Sequence, residues 1–240
     1  MRALLLAAGR GERMRPLTDA CPKPLLTVRG KPLIEWHLDA LARAGVRDVV
    51  INTAWLEEQI VHALGDGTRF GLRIAYSMEG RDHGGALETA GGLKKALPLL
   101  TGGSAAAADR CFWYVAADVF APQFAFDPRD AATFQRSDEI GRLWMVPNPP
   151  QHPFGDFALD LGRGRLLPGG VGERLTWSGI GLFRAAFVSE GMATLAPGTP
   201  ARLRPYLDAA IAQGRLGGVA LDTPWADVGT PERLAALQVA

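Results

Sequence analysis

The chain has 240 residues, 48% of them hydrophobic, and its 26 Lys and Arg residues nearly balance 25 Asp and Glu residues. A formal net charge of +1 excludes the broad basic face that grips nucleic acid, and the apolar fraction excludes a disordered chain. The longest apolar run, residues 111–117, has seven residues, whereas a membrane-spanning helix needs roughly 20. The two cysteines, Cys21 and Cys111, suit a reducing compartment, so we expect a cytoplasmic protein.

The first half of the chain alternates strand-like and helix-like segments. Residues 2–7 form an apolar run that ends at a glycine, which is typical of an interior strand of a parallel sheet. Residues 9–24 contain two glycines and three prolines, so we expect irregular backbone there. Apolar spacing and turn residues then predict helices at 32–44, 56–64 and 89–97, strands at 46–52, 73–77 and 112–116, a loop at 78–88 and a surface connection at 101–109.

The second half is richer in strand-like segments. Predicted strands lie at 142–146, 156–160, 176–183 and 217–221, and predicted helices at 203–212 and 231–237. Neither an internal repeat nor a linker divides the sequence. We therefore expect residues 1–240 to form a single three-layer α/β domain, with a Rossmann-like mixed sheet and strand-rich insertions capping one edge.

The loop after the first predicted strand carries residues suited to an anion. Gly9 and Gly11 begin a dinucleotide fingerprint, but Met14 stands where its third glycine would be, so a Rossmann cofactor site is disfavoured. Such a glycine loop still points backbone N–H groups at an anion. Arg13 offers a planar fork for phosphate oxygens, and Lys23 offers a point charge between two prolines. The alternative interpretation is a solvated basic loop.

Residues 6–18, followed by Pro22-Lys23-Pro24, resemble the opening motif of the sugar-1-phosphate nucleotidyltransferases. Further similar segments follow in the family's order. They are residues 87–92 (similar to the base-binding segment), Asp118 (the metal aspartate), residues 178–180 (the sugar-side strand) and residues 225–230 (the second metal site). The resemblance spans nearly all of the chain.

This resemblance implies a nucleotidyltransferase fold of the GT-A-like type, with a nucleotide-binding half at about 1–120 and a sugar-binding half at about 121–240. It implies attack by a sugar 1-phosphate on the α-phosphorus of a nucleoside triphosphate, so that catalysis is mostly positioning and charge neutralisation. The implied catalytic residues are Arg13 and Lys23, and Asp118 and Asp227 are implied to bind Mg²⁺. The implied nucleotide contacts are Ala7, Ala8, Gly9, Gly11, Arg13, Lys23, Glu79 and Thr89, and the implied sugar contacts are Gly155, Asp156 and Ser178.

The choice of base depends on Glu79. A carboxylate there would accept the N3–H of uracil and would face the bare N3 acceptor of cytosine, which disfavours CTP. Guanine also offers N–H donors, so GTP stays open. The alternative interpretation of Glu79 is a solvated loop carboxylate.

Within the family, the sequence most resembles the short enzymes that uridylylate N-acetylmuramate α-1-phosphate in bacterial cell-wall recycling. Three segments carry this resemblance, residues 11–14, 51–56 and 87–89. The expected partners are UTP and a sugar 1-phosphate, with no nucleic acid and no membrane. Because no hexapeptide-type repeat follows residue 227, we expect a monomer.

Two other functions stay open from the sequence. One is a mannose-1-phosphate guanylyltransferase, which would use the same loop, lysine and metal pair. The other is a non-catalytic, nucleotide-binding regulatory subunit. Such a subunit could dispense with Lys23, Asp118 or Asp227, yet all three are present.

Overall fold

A computed structural model describes residues 1–103, 108–170 and 172–238 of the chain. Residues 104–107 of the predicted surface connection therefore lie outside the described residues. No helix in the described ranges is both long enough and apolar enough to cross a bilayer.

The strands and helices alternate through most of the described chain. The strands are β1 (Arg2–Ala7), β2 (Thr27–Val28), β3 (Lys31–Pro32), β4 (Asp48–Thr53), β5 (Arg73–Met78), β6 (Cys111–Ala116), β7 (Val119–Phe120), β8 (Gly141–Val146), β9 (Phe157–Asp160), β10 (Arg165–Leu167), β11 (Arg174–Arg184), β12 (Leu216–Ala220) and β13 (Ala226–Asp227). The helices are α1 (Leu17–Ala20), α2 (Leu33–Arg43), α3 (Glu57–Leu64), α4 (Glu79–His83), α5 (Glu88–Thr101), α6 (Pro128–Arg136), α7 (Ala185–Ser189), α8 (Arg204–Ala212) and α9 (Pro231–Ala236).

Nine of the described strands form one mixed sheet in the order β5-β4-β1-β6-β11-β8-β12-β10-β9. The strands from β5 to β6 are parallel, and β1 pairs with both β4 and β6, as expected for an interior strand. The next strand, β11, is antiparallel to β6. The carboxyl ends of β1, β4 and β6 therefore meet at one edge of the sheet, where open α/β sheets bind ligands.

Helices cover both faces of the sheet. Successive residues of a strand point to opposite faces, so Leu5 packs with Ile34 and Leu38 of α2, whereas Leu4 packs with Leu93 of α5 on the other face. This alternation produces the three-layer mixed α/β fold that the sequence predicts. The short strands β9 and β10 lie at one edge of the sheet, which agrees with the expected late insertion.

Four segments differ from the sequence prediction in ways that contacts within the structure explain. The predicted loop at 78–88 contains the helix α4, because the carboxylate of Glu57 accepts the N–H groups of Gly80 and Arg81 at 3.2 and 2.6 Å. This cap comes from a distant part of the chain, so local sequence does not reveal it. The predicted irregular region at 9–24 contains α1 and two single 3₁₀ turns, Glu12–Met14 and Lys23–Leu25.

Helix α5 continues past Pro98, where the sequence predicts its end. Leu100 keeps the helix packed because it is buried in the core, and Thr101 Oγ1 donates to the carbonyl of Leu97 at 3.0 Å. Helix α6 was not predicted. The sequence does carry a helix-start signal there: Asp127 caps the helix by accepting the N–H of Arg129 at 2.8 Å, and Pro128 occupies the first turn.

Candidate functional site

A cleft of about 550 Å³ opens at the carboxyl edge of the parallel strands. Three segments supply most of its wall: residues 6–14 at the end of β1 and in the loop after it, residues 86, 88 and 89 before and at the start of α5, and the end of β6 with Asp118. This is the edge at which the sequence predicts the site.

Gly9 and Gly11 serve different purposes in the loop after β1. Gly11 has a φ of +67°, and a Cβ there would lie 3.0 Å from Thr18 Cγ2 and 3.3 Å from Lys23 Cβ. The fold itself therefore requires glycine at position 11. A Cβ on Gly9 would meet no atom within 4 Å, so the space beside Gly9 is open cleft.

Lys23 lies on the wall of the cleft and is 8% exposed. Its Nζ is 2.6 Å from Oδ2 of Asp118, which follows β6 and keeps 47% of its side chain exposed. The structure thus brings the predicted lysine and the predicted aspartate together, with Gly11 packed behind the lysine stem.

Asp227 lies on the short strand β13, which pairs with β7 directly after Asp118. The backbone N–H of Val228 donates to the carbonyl of Asp118 at 3.0 Å, so the two predicted metal ligands come from adjacent backbone segments. The carboxylate of Asp227 accepts Gln151 Nε2 at 2.6 Å and forms an ion pair with Arg233.

The donor set at Asp118 and Asp227 suits a hard divalent ion that shares its coordination with ligand oxygens. The described ranges contain no group of three or more His, Cys, Asp or Glu side chains that could hold a metal ion by themselves. Two carboxylates from adjacent segments, one of them half exposed to the cleft, leave coordination positions for phosphate oxygens and water. The residues present therefore fit such an ion.

Two arginines lie on the glycine-loop wall. Arg13 is exposed to the cleft and, within the described residues, forms neither a hydrogen bond nor an ion pair. Arg10, which the sequence analysis did not single out, lies over the ring of Trp55 at 4.5 Å. The indole N–H of Trp55 donates to the carbonyl of Thr18 at 2.8 Å, which fixes the ring beneath the guanidinium.

Glu79 lies behind the cleft wall. It is fully buried, its Oε1 accepts Asn52 Nδ2 at 2.7 Å, and its Oε2 accepts the backbone N–H of Leu87 at 2.7 Å. Burial raises the pKa of Glu79 above its usual range. Glu79 does not line the cleft, and both of its oxygens are bonded to neighbouring segments of the protein; its contact with the base stays a prediction.

Asn52 links Glu79 to the first strand and is itself part of the cleft wall. Its Oδ1 accepts the backbone N–H of Ala7 at 2.8 Å. The N–H of Ala7 is thus occupied by the protein, whereas Ala8 and Gly9 line the cleft beside it. Asn52 is not among the predicted site residues, although its place as a polar residue near the end of a buried strand is a signal in the sequence.

The start of α5 presents Glu88 and Thr89 to the cleft. Thr89 is half-buried, in agreement with its predicted position on the wall. Glu88 is exposed and has a φ of +57°, an uncommon backbone conformation for a residue with a side chain. The carboxylate that faces the cleft in this segment is therefore that of Glu88 and not that of Glu79.

The three predicted sugar contacts, Gly155, Asp156 and Ser178, lie around β11 and do not line the cleft described above; their contact with a sugar stays a prediction. Ser178 is fully buried, and its Oγ accepts the N–H of Ile180 at 3.2 Å. Asp156 accepts the backbone N–H of Trp177 at 2.8 Å. Gly155 has a φ of +58°, and a Cβ there would lie 2.5 Å from Asn148 Oδ1. These contacts within the protein stabilise the segments on either side of β11.

A further residue of the cleft wall is Tyr114, which the sequence analysis did not select. Alternation along β6 sends Phe112 and Tyr114 to the α5 face of the sheet and Trp113 to the other. The place of Tyr114 near the carboxyl end of a central strand is the feature of the sequence that could have predicted its position at the cleft.

The nucleotidyl transferase family model matches residues 2–162 of this chain. An N-acetylmuramate alpha-1-phosphate uridylyltransferase of Neisseria meningitidis serogroup B is 45% identical over 245 residues, covering 99% of this chain and 97% of that protein. A protein of the same name from Caulobacter vibrioides is 35% identical over 242 residues, covering 98% and 94% of the two chains.

The fold also resembles a solved structure from Bacillus anthracis, described as a glucose-1-phosphate thymidylyltransferase in complex with sucrose. The TM-score is 0.81, and the superposition covers 99% of this chain and 94% of the other. Because only 18% of the residues are identical, this similarity concerns the fold alone.

Proposed function

This chain belongs to the nucleotidyl transferase family, and on that premise we propose that it transfers UMP from UTP to N-acetylmuramate α-1-phosphate, releasing pyrophosphate and a UDP-sugar. The observation that carries the proposal is the meeting of Lys23, Asp118 and the glycine loop in one cleft. The choice of substrates is supported by the 45% identity, over 99% of the chain, to a relative named for that reaction.

In this proposal, an oxygen of the sugar phosphate attacks the α-phosphorus of UTP. The new O–P bond forms as the bond between the α-phosphorus and the bridging oxygen breaks, and pyrophosphate carries away the electron pair. The attacking phosphate is already ionised near neutral pH, so no side chain is needed as a base. Catalysis then depends on bringing two anions together and compensating their charge.

Lys23 and Arg13 supply positive charge in the proposed reaction. The ammonium of Lys23 is held on the cleft wall, and its pairing with Asp118 fixes its position before a ligand arrives. Such preorganised charge costs no rearrangement during the reaction. Arg13 is free of protein partners within the described ranges, so its planar fork is available to two oxygens of the triphosphate.

We propose Mg²⁺ as the cofactor, held by Asp118 and Asp227. When bound, the ion would compensate phosphate charge and align the phosphate groups. Arg233 and Gln151 hold the carboxylate of Asp227, and Asp118 is oriented by Lys23.

We also propose that the enzyme is cytoplasmic and acts in peptidoglycan recycling. UTP is a cytoplasmic metabolite, and N-acetylmuramate is a cell-wall sugar. Every residue that the proposal uses belongs to one polypeptide, so we propose that the monomer is active. The division into a nucleotide-binding half at about 1–120 and a sugar-binding half at about 121–240 forms part of the same proposal.

A substrate panel tests this function. Purified protein with Mg²⁺ is given UTP, GTP, CTP or dTTP together with N-acetylmuramate, N-acetylglucosamine or mannose 1-phosphate, and pyrophosphate release is measured. The proposal expects the highest kcat/KM for UTP with N-acetylmuramate α-1-phosphate. A preference for GTP with mannose 1-phosphate would establish a guanylyltransferase instead, and nucleotide binding without pyrophosphate release for any pair would establish a regulatory subunit.

A further inference from the structure

Tyr114 presents a hydroxyl group without a protein partner at the wall of the cleft. The residue is 4% exposed and lines the cleft. Within the described residues its hydroxyl forms no hydrogen bond. Three other side-chain atoms lack both a partner and contact with solvent, namely Trp36 Nε1, Ser77 Oγ and Thr223 Oγ1, whereas Tyr114 Oη keeps some accessible surface. Its small accessible surface therefore faces the cleft.

A buried tyrosine usually donates its hydroxyl to a partner, because an unpaired polar group away from water is costly. Burial raises the pKa of Tyr114 above its usual range, and the negative charge of Asp118 raises it further. The group is thus a neutral O–H donor. The hydrogen-bond partner available to this hydroxyl is therefore an oxygen atom of a ligand in the cleft.

The ring of Tyr114 is fixed in place. It stacks on the ring of Trp177 with 5.0 Å between centroids and an interplanar angle of 29°. Trp177 is held in turn, because its indole N–H donates to Ile180 at 2.9 Å and its backbone N–H donates to Asp156 at 2.8 Å. The hydroxyl therefore cannot turn away from the cleft without breaking this packing.

The ring of Tyr114 packs toward the second half of the sheet. The glycine loop follows β1, whereas Trp177 lies on β11, on the other side of β6. Strand β6 is where the parallel strands give way to the antiparallel ones. A ligand group that meets Tyr114 is accordingly the one that lies toward the second half of the sheet.

We propose that Tyr114 Oη donates a hydrogen bond to an oxygen of the acceptor sugar 1-phosphate and thereby determines acceptor affinity. This inference rests on the proposed function, because it takes the second ligand to be a sugar 1-phosphate. It adds a contact that neither the glycine loop nor the aspartates provide.

The test is the single-atom substitution Tyr114→Phe, with Tyr76→Phe as the matched control. Tyr76 Oη donates to the carbonyl of Gly65 at 2.6 Å and does not line the cleft. The expected result is a KM for the sugar 1-phosphate that rises roughly fivefold to tenfold, the loss for one neutral hydrogen bond, with the KM for UTP changing less than twofold. The melting temperature of Tyr114→Phe should be unchanged, whereas Tyr76→Phe should melt lower with both KM values unchanged.

An unchanged KM for the sugar 1-phosphate, or a rise confined to the KM for UTP, would overturn the inference. Repeating the measurement with N-acetylmuramate and N-acetylglucosamine 1-phosphates identifies the oxygen. If Tyr114→Phe raises the KM for both sugar phosphates, the hydroxyl contacts an oxygen that the two sugars share. If it raises only the KM for N-acetylmuramate 1-phosphate, the hydroxyl contacts the lactyl carboxylate of that sugar. Either result supports the contact.

Direct binding separates this inference from the proposed function. If the unaltered protein releases no pyrophosphate with any pair, the proposed function fails, and calorimetric titration with the sugar 1-phosphates still measures the contact. Weaker binding by Tyr114→Phe than by Tyr76→Phe would then support it. Equal binding by the two variants, or no binding by the unaltered protein, would refute it.

Discussion

Lys23 and Asp118 form an ion pair of 2.6 Å across 95 positions of the chain. The lysine lies in the region between β1 and β2, and the aspartate lies between β6 and β7. The pair therefore joins the region after β1 to the carboxyl edge of the sheet at the wall of the cleft. Because Asp118 stays 47% exposed, the pair remains accessible to a ligand.

Replacing Lys23 by alanine should lower kcat by at least about 100-fold, the loss typical of removing one preorganised charge or donor from a reacting oxyanion. The melting temperature should fall by only a few degrees, since the exposed Asp118 regains water when the lysine is lost. Steady-state kinetics and thermal unfolding measure the two effects. Lys31→Ala is the control, because Lys31 pairs with Asp39 outside the cleft, and it should keep full activity. Comparable activity in the two variants would remove Lys23 from the reaction.

Asp118→Asn and Asp227→Asn should each reduce the apparent affinity for Mg²⁺ by roughly tenfold or more, because each removes a charged oxygen ligand from the proposed site. Activity measured against Mg²⁺ concentration detects the change, and EDTA should abolish the activity of the unaltered protein. Asp39→Asn controls for a lost surface carboxylate. A variant with an unchanged Mg²⁺ dependence would show that its aspartate is not a ligand.

The buried His37 should make the fold less stable in acid. Burial lowers the pKa of His37 from 6.5 to about 4, against a smaller opposing effect of its hydrogen bond to Val119 at 2.8 Å. Because the unfolded chain binds this proton near pH 6.5 and the folded chain does not, stability falls as the pH drops from about 6.5 to about 4. The full contribution is roughly 3 kcal/mol.

Urea unfolding at pH 7.5, 5.5 and 4.5 measures this loss. In His37→Gln the amide keeps a donor for Val119 but has no proton to bind, so the part of the pH slope between 6.5 and 4 should shrink. His62→Gln, on the exposed side of α3, controls for a surface histidine. Identical slopes in His37→Gln and the unaltered protein would contradict the assignment.

Glu88→Gly should stabilise the fold by about 1 kcal/mol, because only glycine adopts a positive φ without a Cβ penalty. Glu88→Ala keeps the Cβ and should show no such gain. Urea unfolding of both variants measures the difference. If alanine and glycine change stability equally, the backbone at 88 carries no strain.

The sequence predicted the parts of the site that depend on local pattern. An apolar run ending at Gly9 marks the end of β1, and an aspartate after a buried run marks the end of β6. Parallel strands bring such ends together, so the glycine loop and Asp118 could be expected at one edge of the sheet, whereas Lys23 was placed there by the family resemblance.

The rest depends on contacts that spacing does not reveal. Glu79 is buried because Asn52 and Leu87, from two other elements, bond its oxygens. Ser178 turns inward at an irregularity of β11, between Trp177 and Gly181, which shifts the pairing with β8. In both cases the neighbouring backbone decides whether a polar side chain faces a ligand or the protein, and that backbone is distant in sequence.

The carboxylate of Asp227 has two protein partners, because Gln151, in the loop between β8 and β9, donates to it and Arg233 forms an ion pair with it. A ligand that takes Oδ1 of Asp227 must compete with the Gln151 amide and break this hydrogen bond to the loop. Conversely, any contact that breaks the hydrogen bond from Gln151 makes Oδ1 of Asp227 available to a ligand. Ligand binding at Asp227 and the hydrogen bond from Gln151 are therefore coupled, and the free energy of this coupling is the same in both directions.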